Sequence, residues 1–139
     1  MPKITSIQII DNTKEVLEAM KEQVLIGLDS VGHEAEGYAK DECPVDTGLL
    51  RNSITHAVSG QPAAIGSYKA DKGEGHGSYQ GVAPKDAMPA VYIGTNVEYA
   101  EEQEYGSYNH KVGKKHFLKD AATNHTDHYK AIMQAALEK

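Results

Sequence analysis

Four histidines in the last third of the chain, His110, His116, His125 and His128, are the residues whose type best suits chemistry. Imidazole binds zinc and carries protons near neutral pH. The spacing fits neither task well. A helical His pair that shares a metal stands four residues apart, with a carboxylate or a third His completing the set. His125 and His128 are three apart, and Asp127 falls on another side of the helix. They read as polar helix surface, with His125 at its margin. Cys43 as a nucleophile would need a base; His33 precedes it by ten residues, which is no helical contact spacing, and nothing marks an oxyanion hole. Cys43 reads instead as a half-buried small hydrophobe. The run Gly73-Glu74-Gly75-His76-Gly77 lacks the Gly-Lys-Ser/Thr ending of a phosphate cradle, opens no helix and carries a repelling acid, so it reads as a flexible loop. Glu98, Glu101, Glu102 and Glu104 read as a solvated helix face rather than an acid–base pair or cation site. The expectation is therefore no catalytic, cofactor-binding or metal-ligating residue.

The best-specified local geometry lies at Cys43-Pro44-Val45-Asp46-Thr47-Gly48-Leu49-Leu50-Arg51-Asn52-Ser53-Ile54. Pro44 donates no backbone hydrogen bond and biases Cys43 out of the helical region, so a helix stops here. Asp46 and Thr47 suit bonds to nearby main-chain N–H groups, and Gly48 takes positive φ without steric cost. An Asp46–Arg51 ion pair is one reading of the turn, with local turn geometry preferred for Asp46. Arg51 is less easily explained by its own turn and is expected to reach a neighbouring surface.

Around this joint the elements follow. Ile4, Ile7, Ile9 and Ile10 predict a strand at about residues 3–10. Asn12 reads as an N-cap, with Glu15 in capping-box position. Leu17, Met20, Val24, Leu28, Val31, Ala35 and Tyr38 recur at steps of three and four, one apolar stripe on a helix of about 30 residues. Gly27, Gly32 and Gly37 each weaken it by roughly 1 kcal/mol relative to Ala, which points to a bend or to close packing. Ser53 to Val58 alternates as a strand. Residues 59–89 are rich in Gly and Pro, an excursion expected to be functional or disordered, and Met88 to Thr95 reads as a returning strand, making a long β-hairpin. A short helix at Val97–Tyr105, a polar basic loop over 107–115 and one helix from Phe117 to the C-terminus complete an α+β single domain over 1–139. Its sheet is small and mostly antiparallel, with the long N-terminal and the C-terminal helix packed on it.

Composition narrows the classes. A net charge of −6 argues against a nucleic-acid-binding domain, though Lys111, Lys114, Lys115 and Lys119 make a local basic patch. The single cysteine excludes an intramolecular disulfide and fits a reducing compartment. No apolar run nears the ~20 residues of a membrane span, and the start carries no signal-peptide pattern, so a cytoplasmic protein is expected. Eight Tyr, with one Phe and no Trp, suit half-buried surfaces and subunit contacts.

Three blocks in order resemble the neck or tail-completion (head–tail joining, minor tail) proteins of tailed bacteriophages. Residues 43–54 are similar to that family's Pro-Val-Asp-Thr-Gly-x-Leu-Arg-x-Ser-Ile hallmark, with Leu50 added or shifted. Val97-Glu98-Tyr99-Ala100 through Glu104-Tyr105-Gly106-Ser107 resembles a Tyr-Ala-x-x-x-Glu-x-Gly-Thr block. Lys115-His116-Phe117-Leu118-Lys119-Asp120-Ala121 resembles a Pro-Phe-Leu-x-x-Ala block that opens the final helix. Ser107 stands where the family has Thr and His116 where it has Pro, so the entry into the last helix is expected to differ.

The resemblance implies a non-enzymatic virion component without cofactor. It implies a homo-oligomeric ring, a hexamer, that completes the tail end and joins it to the connector. Its partners would be further copies of itself, the connector or head-completion protein and the tail tube protein. It would be found at the head–tail junction of the virion, and in the host bacterial cytoplasm during assembly, with no sequence-specific nucleic-acid or membrane binding. Asp46, Thr47, Arg51, Tyr79 and Tyr105 are the expected assembly contacts, and the excursion is expected to order on assembly. The competing expectation, from another class, is a small metal-binding module or metalloenzyme using His110, His116, His125 and His128.

Overall fold

The computed structural model describes residues 13–85, 88–100, 104 and 116–138. The expected strand at 3–10, the Asn12 cap, the loop at 107–115, Tyr105, His110 and residues 101–103 of the expected short helix lie outside them. The expected α+β architecture is what the chain adopts, with helix as its largest component. Helix α1 spans Thr13–Glu42, unbroken over 30 residues. Its C-terminal half buries Val31, Ala35 and Ala39. Nearer its N-terminus the same stripe leaves Leu17 and Met20 exposed. Close packing, and no break, accounts for two of its glycines. A Cβ on Gly32 would lie 2.6 Å from Val91 Cγ2 and 2.7 Å from His56 Cδ2, and one on Gly27 would lie 2.8 Å from Met133 Sδ.

Past the joint the structure corrects the expected strand at 53–58. Leu49–Ser53 forms a short helix, α2, and strand β1 begins at Thr55 and ends at Val58. Ser53 is helical because its hydroxyl bonds the Leu50 carbonyl at 2.6 Å, a local bond that competes with extended structure. β1 pairs antiparallel with β4, Val91–Gly94, in the register Thr55↔Gly94 to Val58↔Val91, which is the long hairpin expected.

The excursion between these strands holds structure of its own. Ser67–Lys69 (β2) and His76–Ser78 (β3) form a second antiparallel hairpin. The run Gly73 to Gly77 is its turn and return strand: Gly73–Gly75 is loop as expected, and the structure corrects the expectation at His76 and Gly77, which lie in β3. Gly77 sits in β3 because the Tyr68 ring lies where its Cβ would be. On either side, Ser59 N–H donates to the Ala90 carbonyl, Ala83 N–H to Gln61 and Ala64 N–H to His56, at 2.8–2.9 Å.

The last helix is two helices, α3 (Phe117–Thr123) and α4 (Thr126–Leu137). The break has a side-chain cause. The ring of His125, between them, stacks on Tyr38 of α1 at 3.5 Å with 5° between planes, and the Tyr129 hydroxyl donates to the Ala121 carbonyl. α1 touches β1, β4, α3 and α4, whereas β2 lies on α2. The core cluster is Ala39, Cys43, Leu50, Ile54, Ala100, Phe117 and Ala121, with Phe117 and Ile54 fully enclosed.

Candidate functional site

The joint ends α1 and then locks the outer hairpin in place. Gly48 takes φ 88°, ψ −3°, the left-handed region glycine favours, and Asn52 N–H donates back to its carbonyl at 2.9 Å. A Cβ there would come 2.5 Å from Asp71 Oδ2. Thr47 works at both ends: its hydroxyl accepts from Leu49 N–H at 3.3 Å, and its carbonyl accepts from the N–H groups of Asp71 and Lys72 at 2.8 and 3.0 Å. Asn52 Nδ2 donates to the Lys69 carbonyl at 2.9 Å and to Asp71 Oδ1 at 3.0 Å. Arg51 Nη2 donates to Asp71 Oδ2. The partner left open for Arg51 by its own turn is thus Asp71, twenty residues on in the same chain, rather than Asp46, which is exposed.

Tyr79, another expected contact, is half-buried and donates its hydroxyl to the Ser53 carbonyl, which ties the far strand of the hairpin to the end of α2. Burial raises the pKa of its phenol above the ordinary range, against hydrogen bonds from Thr95, Asn96 and Ser53 that lower it. Tyr68 donates to Asn96 Oδ1, and Asn96 Nδ2 donates to the Ser78 carbonyl at 2.9 Å. Of the expected contacts, Asp46, Thr47, Arg51 and Tyr79 fall on this joint and its hairpin.

The other candidate groups separate. Burial pushes the Cys43 thiol up to about 12, with the Arg51 charge opposing and Glu104 adding, so this cysteine stays protonated and inert. His128 Nδ1 meets the Tyr38 hydroxyl at 2.8 Å, and His125 stacks on the same ring. Both therefore help fasten α4 to α1. His116 takes φ 62°, ψ 36° at the entry to α3, a geometry the proline ring of the resembled block cannot reach.

Glu104 corrects the expectation of a solvated acidic face. It is buried, and its carboxylate accepts from Leu118 N–H at 3.0 Å and Lys119 N–H at 2.9 Å. Its carbonyl accepts from His116 N–H at 2.8 Å. A left-handed His116 makes no side-chain cap, so Glu104 supplies the anion that the α3 N-terminus lacks. Glu98 is exposed, as a solvated face requires.

A second polar cluster joins residues that no local sequence pattern links. The buried His56 ring on β1 lies across Gly32 of α1, with Nδ1 3.1 Å from Glu36 Oε1 and Nε2 3.0 Å from Asp29 Oδ1. His33 approaches it edge-on, with ring centroids 6.1 Å apart. The available signal was the spacing of Asp29, His33 and Glu36, which share one helix face. Nothing local tied them to a histidine in the middle of a strand.

Comparison with protein-family models, curated proteins and solved structures returns no match. No helix among the described residues is long and apolar enough to cross a membrane.

Proposed function

We propose that the chain is a non-enzymatic assembly component of a tailed phage or prophage, closing the tail end as a hexameric ring and joining it to the connector. One observation carries this reading. The three blocks that resemble neck and tail-completion proteins meet in a single core: Cys43, Leu50 and Ile54 from the first, Ala100 from the second, Phe117 and Ala121 from the third. The glutamate of the second block caps the helix opened by the third. The residues that carry the resemblance thus belong to one packed unit.

The surface is also of the right kind. A ring needs heterologous contacts, so each subunit presents two different patches. Val16, Leu17 and Met20 on α1, and Val82 and Met88 in the excursion, are exposed apolar residues in two separate stretches. The joint supplies a rigid base for the hairpin that would meet a neighbour, and Arg51, still partly exposed, sits at its edge. Deleting the reading frame from the phage or prophage that carries it is expected to leave filled heads and finished tails unjoined in electron micrographs. Normally joined particles would refute the reading.

A further inference from the structure

The His56 cluster has the composition and order of a metal site, and it goes beyond the assembly reading without depending on it. A carboxylate accepts hydrogen bonds and never donates, while a neutral imidazole owns a single N–H. His56 meets a carboxylate at both ring nitrogens, so a cation has to lie between one nitrogen and its oxygen: a proton or a metal ion. A proton between Nδ1 and Glu36 needs no third donor. Yet His33 is there, and the donor atoms of His33, Glu36 and His56 all lie within 4.8 Å of one another.

The surroundings are arranged as a ligand set requires. Glu36 Oε2 is held by Lys40 Nζ at 3.2 Å, which leaves Oε1 turned toward His56. Asp29 at Nε2 is the outer carboxylate that fixes the tautomer of a metal-bound histidine and leaves Nδ1 free to ligate. Gly32 lets the ring rest against the helix between these residues. Zinc–ligand bonds of about 2.1 Å place tetrahedral donors about 3.4 Å apart, so the Nδ1–Oε1 pair, now at 3.1 Å, must open by a few tenths of an ångström while His33 moves in. The exposed side chain of His33 has the freedom to do so.

We propose that His56 Nδ1, Glu36 and His33 bind a divalent first-row transition ion, with Zn²⁺ the best fit to two imidazoles and one carboxylate, and that Asp29 orients His56 from outside. The ion would clip β1 to α1, with its fourth position open toward solvent or a partner's side chain.

The test is calorimetric titration of the untagged, chelator-stripped full chain with Zn²⁺. The expected result is saturable binding of one equivalent and a Tm that rises with metal. His33→Ala is expected to lower affinity at least tenfold while leaving the Tm in chelator unchanged, because His33 is exposed. Asp29→Asn, which removes no ligand, is expected to lower it about 10–100-fold. The double variant His125→Ala/His128→Ala is expected to bind as the parent does. Absence of saturable binding, full affinity in His33→Ala, or loss confined to the His125→Ala/His128→Ala variant would each overturn the proposal.

Discussion

The two hairpins of this molecule are built from similar backbone and held by different forces. β1–β4 lies against α1, and three of the four β1 side chains are buried. β2–β3 shows no buried residue in either strand and is held by polar ties: Asn52 to Lys69 and Asp71, Thr47 to Asp71 and Lys72, Tyr79 to Ser53. A two-stranded ribbon alone is marginal in water, so each hairpin borrows stability. The inner one borrows it from apolar burial, the outer from hydrogen bonds to the joint. Loss of core volume should therefore unfold everything, whereas damage to the joint should loosen the outer hairpin first.

The largest effect is expected at Phe117, fully buried where all three resembled blocks meet. Phe117→Ala should cost about 3–5 kcal/mol of global stability in chemical denaturation. A change under about 1 kcal/mol would mean that this cluster is not the core. Glu104→Ala comes next. It leaves two N–H groups of α3 without their acceptor and should cost about 1–3 kcal/mol, read by the same denaturation curves. A cost no larger than that of a surface glutamate would return Glu104 to a solvated face.

Gly48→Val sharpens the contrast. The positive φ and the approach of Asp71 both oppose a side chain, so a cost of about 1–3 kcal/mol is expected, with amide exchange rising first over residues 67–78. Uniform acceleration across β1 and β4 would show that the two hairpins are not held independently. The smallest effect belongs to Arg51→Ala. The Arg51–Asp71 pair is partly exposed, so folding should change by less than about 1 kcal/mol, although the hairpin frays and, on the assembly reading, tail joining is impaired. Particles with normally joined tails would remove Arg51 from the contact surface.

The same contrast explains what could be read from the sequence. The face of α1, the pairing of the strands around the excursion and the positive φ of Gly48 follow from local rules of periodicity and steric freedom. β2–β3 does not, because glycine erases alternation at Gly77 and its anchors, Thr47 and Asn52, lie far from it in sequence. Glu104 looked like one of four equivalent surface acids; its role depends on a helix that begins thirteen residues later. His56 was hidden because its partners lie on another element. The α1 pattern announced an apolar face along its whole length but not what covers it, and Leu17 and Met20 remain exposed. On the proposed function, those residues meet a second copy.

Cryo-electron microscopy of the intact particle at the head–tail junction tests that claim most directly. The account predicts a closed hexameric ring of this chain, with Leu17 and Met20 on one face and Val82 and Met88 on another covered by neighbouring copies. A junction that lacks the chain, or a ring in which both stretches face solvent, would contradict it.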